Sequence, residues 1–184
     1  ASSSPRRREL VQRLGVEPVR IASPDIDETP LKGEVPRVYA LRLAEEKARA
    51  VPRTEGEIIL AGDTTVAVGR RILGQAEDAA MQDRFLRLLS GRRHHVISAV
   101  SVIDANGVQR SKICDSIVKF KPLHDAEIAA YIACGEGIGK AGGYAVQGRG
   151  EALIQWLQGS HSGVMGLPLY ETRLLLRAAG MGID

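Results

Sequence analysis

A chain of 184 residues can bury a core as one domain spanning 1–184, while a net charge of +3 at pH 7 and 4% aromatic residues leave little for steering or stacking nucleic acid. Cys114 and Cys134 lie far apart with no Cys-x-x-Cys spacing, which argues against a disulfide framework or zinc ribbon and fits a reducing cytoplasm. No apolar run approaches the roughly 20 residues of a membrane span and no signal peptide is visible, so a cytoplasmic location without a membrane partner is expected.

In chain order, Ser4-Pro5-Arg6-Arg7-Arg8-Glu9-Leu10 opens a helix, with Ser4 at the N-cap, Pro5 at the first helical position, and Leu10, Val11 and Leu14 forming the apolar face before Gly15. This start follows Ala1 so closely that a preceding strand is expected to be missing from the sequence. Arginines in a first helical turn oppose the helix dipole, and a bound polyphosphate would offset that; a solvated basic face is the alternative. A short strand is expected over 16–22. An acidic loop follows, Asp25-Ile26-Asp27-Glu28-Thr29-Pro30, whose carboxylates suit either a metal or an ordinary surface. A helix over 35–50 turns Tyr39, Leu43 and Ala44 inward and carries Lys47, which either snorkels to solvent or reaches into a site.

The run Glu57-Ile58-Ile59-Leu60-Ala61-Gly62-Asp63-Thr64-Thr65 is the centre of the pattern. Its apolar part reads as a strand covered on both faces, and Gly62 as the point where the backbone turns beside Asp63. A carboxylate at a strand's exit is a candidate metal ligand or general base, or simply an Asx turn or helix cap. Gly69-Arg70-Arg71 then predicts a hairpin turn, 77–89 a helix closed by Gly91, and 94–103 with 108–120 two long strands joined at Asn106-Gly107. The hairpins make the sheet mixed rather than purely parallel. His94 and His95 are adjacent and so face opposite sides of a strand, while His124 and His161 stand alone, which leaves no histidine metal cluster. A helix over 125–134, strands over 144–147 and 152–157, and a C-terminal helix opened by Gly166-Leu167-Pro168-Leu169 complete the chain. The glycine-rich Gly135–Tyr144 passage contains the letters of two nucleotide motifs and satisfies neither. Its Gly137-x-Gly139-x-x-Gly142 follows a helix instead of a strand, and Gly139-Lys140 lacks the hydroxyl of a P-loop.

The ordered set Ser2-x-Ser4-Pro5-Arg6-Arg7, Glu28, Glu46-Lys47-Ala48, Gly62-Asp63-Thr64, Lys140-Ala141-Gly142-x-Tyr144-x-Val146-Gln147-Gly148 and Gly166-Leu167-Pro168-Leu169 resembles the Maf family of nucleoside triphosphate pyrophosphatases. Arg6, Thr64 and Gln147 match the positions that sort the branch acting on dTTP and UTP. The resemblance implies an α/β fold like that of inosine triphosphatase, a mixed twisted sheet with flanking helices and a smaller lobe containing a hairpin. It also implies hydrolysis between the α and β phosphates with a divalent metal, Mg²⁺ or alternatively Mn²⁺, in a cytoplasmic homodimer. On this resemblance Asp63 is the catalytic base and a metal ligand, and Glu28 the second ligand. Ser4, Arg6, Arg7, Lys47 and Lys140 grip the triphosphate with Thr64, and Gln147 reads the pyrimidine. Gln75 stands where the branch usually has lysine, and Gly159-Ser160-His161-Ser162-Gly163 departs from the usual pattern. The alternatives are a pyrophosphatase for inosine-type or modified purine triphosphates, and a weakly active nucleotide-binding regulator linked to cell division. Nucleic-acid binding through the arginine clusters ranks behind both.

Overall fold

The computed structural model describes Ser2 and residues 4–183. Helix α1 (Pro5–Gln12) begins at Pro5 as its fixed φ favours, and buries Leu10 and Val11. Ser4 occupies the N-cap position but makes no side-chain capping bond. Residues 16–22 form no strand; Val19 is 92% exposed, and Pro18 has no N–H to give a ladder. Helix α2 (Pro36–Arg49) follows the acidic loop. Next come β1 (Ile59–Val68), β2 (Arg71–Leu73), α3 (Ala79–Leu89), β3 (Arg93–Ile103), β4 (Gln109–Phe120) and α4 (Asp125–Ala133). A 3₁₀ turn (Arg149–Leu153), β5 (Ile154–Gln158), α5 (His161–Met165) and α6 (Leu169–Ala178) end the described chain.

The sheet runs β2-β1-β3-β4-β5, and each of the four pairings is antiparallel, where a mixture of directions was expected. For two of the four the cause is local: β1 to β2 and β3 to β4 are tight hairpins, and a hairpin can only pair antiparallel. Residues 144–147 likewise form no strand; they turn through a segment held by side chains, described below.

On one sheet face α2 packs its small residues, Ala40, Ala44 and Ala48, against Ala61, Ile97, Ala99 and Ile103, bringing the helix close to β1. On the other face the apolar packing divides. One cluster gathers α3, α4 and the hairpin end around Leu86, Val118, Phe120 and Tyr144; the other gathers α1 and α6 around Leu10, Val100, Leu167 and Leu176. Val66 and Tyr144 of the first cluster and Met165 of the second line the same cleft, so the cleft lies between the two.

Candidate active site

Asp63 lies in the middle of β1, opposite Ala99 of β3, and not at the strand's exit. The strand continues because its polar residues find partners on both faces. With a two-residue period, Asp63 and Thr65 share one face and Thr64 takes the other. On the first face Lys47 of α2 donates to Asp63 Oδ1 at 2.9 Å, and Thr65 Oγ1 donates to Asp63 Oδ2 at 3.1 Å. The same Lys47 ammonium meets Glu28 Oε1 at 2.8 Å, so two carboxylates converge on one cation. Lys47 therefore enters the site instead of snorkelling.

Glu28 comes from an irregular loop, and α2 fixes that loop. Tyr39 donates its hydroxyl to the Glu28 carbonyl at 2.8 Å. Arg42 forks onto Glu34 at 2.7 and 2.8 Å and donates to the Thr29 carbonyl at 3.2 Å. The Glu34 carboxyl is held below its ordinary range, first by the Arg42 hydrogen bond. The sequence marked Tyr39 only as an inward helix residue and Thr65 only as part of the central run, and it singled out neither Arg42 nor Glu34. Thr65 could have been found, because it shares a strand face with Asp63; the others meet across a loop that carries no periodic signal.

On the opposite face Arg7 donates through Nε to the Gly166 carbonyl at 2.8 Å and through its terminal nitrogens to Thr64 Oγ1 at 3.3 Å and Ser2 Oγ at 3.1 Å. Thr64 Oγ1 also lies 2.9 Å from Ser98 Oγ, which donates to the Gly163 carbonyl at 2.7 Å. The Thr64 hydroxyl is thus committed within the protein and orients Arg7. Gly62 is no turn residue: a Cβ there would stand 3.1 Å from the Ala99 carbonyl, so the glycine eases the close approach of β3, while Arg7 Nε at 3.6 Å would be in ordinary contact.

Ser4, Arg6, Arg7, Glu28, Lys47, Asp63, Thr64, Lys140 and Gln147 all line one cleft of about 380 Å³, where Gln75 also lies. Lys140 is placed by a loop that pairs with residues 74–76, where the Ala76 N–H meets the Lys140 carbonyl at 3.1 Å. Burial holds the Arg6 and Arg7 guanidinium groups below their ordinary range. Burial, and then the charge of Arg6, do the same to Lys140. Among the described residues neither Arg6 nor Lys140 has a salt-bridge partner, which is the condition of cations awaiting an anion. Arg8 points away, exposed, to Glu17 at 3.3 Å. The Gln147 amide is exposed and takes no hydrogen bond from the described residues. A larger cavity of about 550 Å³ lies alongside, lined mainly by apolar residues such as Val11, Leu60, Leu176 and Met181, and it contains neither carboxylate of the site.

Four cationic side chains around two carboxylates, on the flank of an antiparallel sheet covered by helices, define an α/β protein built to hold a polyanion. Residues 1–179 match the family model described as Maf-like protein, and the chain belongs to the Maf family. It is 61% identical over 181 residues to the dTTP/UTP pyrophosphatase of Sphingopyxis alaskensis, covering 98% of this chain and 95% of that one. It is 59% identical over 184 residues to the protein of the same name from Novosphingobium aromaticivorans, covering 100% and 92%. A solved nucleoside-triphosphatase / dITP/XTP pyrophosphatase from Mycobacterium abscessus is similar at 19% identity and a TM-score of 0.44, covering 99% of this chain and 96% of that one.

Proposed function

We propose that this chain, as a single domain over 1–184, hydrolyses dTTP and UTP between the α and β phosphates, releasing a nucleoside monophosphate and pyrophosphate. One observation carries the reading: Arg6, Arg7, Lys47 and Lys140 converge with Asp63, Glu28 and Gln147 in a single cleft, in a chain whose relatives bear the name dTTP/UTP pyrophosphatase. The charges complement each other. A triphosphate of about four negative charges with one divalent metal keeps about two, against the cleft's two-cation excess.

A divalent metal, Mg²⁺ or Mn²⁺, fits the carboxylate pair, since Glu28 and Asp63 already converge on the Lys47 ammonium. Among the described residues no three His, Cys, Asp or Glu side chains group to hold a metal, so these two carboxylates would hold it together with the phosphates. Bound there, the ion would polarise the phosphate oxygens and acidify a water. The protein's own groups do the rest. Arg6, Arg7 and Lys140, with the uncapped Ser4 hydroxyl and the first-turn N–H groups of α1, grip the chain of phosphates. Asp63, its two oxygens held by Lys47 and Thr65, accepts the proton of the attacking water. Lys140, a further cation of the cleft, offsets charge developing on the departing pyrophosphate in this reading. Gln147 offers both a donor and an acceptor to a pyrimidine edge.

The test is a product assay by phosphorus NMR with Mg²⁺. Pyrophosphate and monophosphate are expected, and Asp63→Asn lowers kcat by about 10²–10⁴-fold. Orthophosphate with a nucleoside diphosphate would overturn the assignment. No helix among the described residues is long and apolar enough to cross a membrane. A cytoplasmic homodimer completes the reading, checked by sedimentation for the oligomeric state.

A further inference from the structure

Glu136 does not line the cleft, yet it holds the segment that carries Gln147. Its Oε1 accepts the Arg149 N–H at 2.9 Å, and its Oε2 accepts the Gly150 N–H at 3.0 Å and the Tyr131 hydroxyl at 2.8 Å. Tyr131 in turn accepts the Ala145 N–H at 3.0 Å. Backbone groups on both sides of Gln147 therefore hang on one carboxylate and one phenol. The glycines record how tightly the segment closes. A Cβ at Gly148 would fall 1.7 Å from Glu136 Oε1, and one at Gly150 would fall 2.5 Å from the Ala145 carbonyl and 2.9 Å from the Tyr131 oxygen. Burial opposes ionisation of Glu136, and the Tyr131 hydroxyl with the two N–H groups outweighs it, keeping the carboxyl below its ordinary range.

We infer that Glu136 is a positioning residue for base selection: by bonding to the backbone after Gln147, and through Tyr131 to the backbone before it, it fixes where the Gln147 amide meets the nucleobase. This rests on the proposed role of Gln147. The phosphate grip is anchored separately, because the Lys140 loop is tied to residues 74–76 by the Gly139 N–H on the Ala76 carbonyl at 2.8 Å and the Gly142 N–H on the Gly74 carbonyl at 3.1 Å. Loosening Glu136 should therefore damage discrimination between bases more than hydrolysis as such. In Glu136→Gln one acceptor oxygen becomes an N–H₂ donor facing a backbone N–H, so one of the two clasps must open.

The experiment measures kcat/KM for UTP, for GTP and for ribose 5-triphosphate, which has no base, in the wild type, Glu136→Gln and Gln147→Ala. Glu136→Gln is expected to lower the UTP-to-GTP ratio at least tenfold while its value for ribose 5-triphosphate stays within threefold. An unchanged ratio in Glu136→Gln, with a lowered one in Gln147→Ala, overturns the positioning role alone. An unchanged ratio in Gln147→Ala overturns the base contact, and the positioning role with it. An equal loss on all three substrates means that Glu136 is structural only, which also overturns it. Should Glu136→Gln fail to fold, Gly148→Ala, which pushes the segment off Oε1, is judged by the same ratio.

Discussion

Gln75 forms part of the wall of a cleft that gathers four cations and two carboxylates, its backbone bridged to Ala141 beside Lys140. An amide there offers hydrogen bonds but no charge to a departing pyrophosphate. Introducing an ammonium has opposite effects on the free and bound states. In the free protein it adds a like charge near Arg6 and Lys140, both already held below their ordinary range, so Gln75→Lys should melt slightly lower. With triphosphate present the added charge should strengthen as negative charge develops, raising kcat about tenfold, or about 1.4 kcal/mol of barrier. Steady-state kinetics with UTP decide it, and an unchanged kcat would mean that Arg6, Arg7 and Lys140 already supply what the reaction needs. This departure was visible from the sequence, because it is a matter of residue type at a motif position. The partners of Lys47 were not. Its place on α2 left snorkelling and a site contact equally open, and only the close approach of α2 to β1 over small residues brings the ammonium to Asp63.

Among the elements, α1, α2, α3, α4 and α6 were legible to within a few residues because their signals are local: Pro36 at the start of α2, Asp78 accepting from the Met81 N–H at 2.6 Å at the start of α3, Gly91 after it; the single-turn α5 and the 3₁₀ turn, too short to show a period, were not anticipated. Strand β1 was cut short because Asp63-Thr64-Thr65 looks like a polar exit, and the partners that keep it extended lie up to about a hundred residues away, at Ser98 and Gly166. The expected strand over 144–147 failed for a similar reason, its backbone being claimed by Tyr131. Strand β3 carries a consequence that periodicity alone predicted only in part. Its two histidines do face opposite ways: His95 lies partly exposed on Asp115 at 2.8 Å, and His94 is buried 2.7 Å from the Tyr144 hydroxyl, edge-on to Phe120. Burial first, and then the neighbouring His95, push the His94 imidazole down to about 4. The unfolded chain, with its histidine near 6.5, then binds the proton more readily than the folded one between those values. Stability is thus fully present above 6.5 and falls as pH drops toward about 4, by on the order of 3 kcal/mol at most. Melting curves between pH 7 and 5, above most carboxylate titration, should show this slope. His94→Phe should melt lower at pH 7 yet lose much of the slope, and a wild-type Tm flat over that range would refute it.

At the scale of the whole molecule, the cleft is assembled from α1, the acidic loop, α2, β1, the loop around Lys140 and Gln147, and the turn at Gly166, and it lies between two apolar clusters that share one sheet face. Motif order revealed which residues belong together, but their convergence depends on the antiparallel sheet, which puts β1 beside β3 and lets α1 and α5 meet on one of its faces. No part of this arrangement survives unfolding, so a triphosphate that bridges the segments binds the folded state alone and must raise the melting temperature. At a hundred times its dissociation constant such a ligand contributes about 2.7 kcal/mol, which for a chain of this size is a rise of about 5–10 °C. A UTP analogue with a methylene bridge between the α and β phosphates, added with Mg²⁺, avoids turnover during the scan. The shift should shrink when Mg²⁺ is withheld, since Glu28 and Asp63 then face the phosphates with only Lys47 between them. It should also shrink in Arg6→Ala, which removes a cation that has no salt-bridge partner among the described residues and so costs the free protein little. A shift that is equal with and without the metal would remove the carboxylate pair from the binding step. The absence of any shift at millimolar analogue would remove the cleft itself.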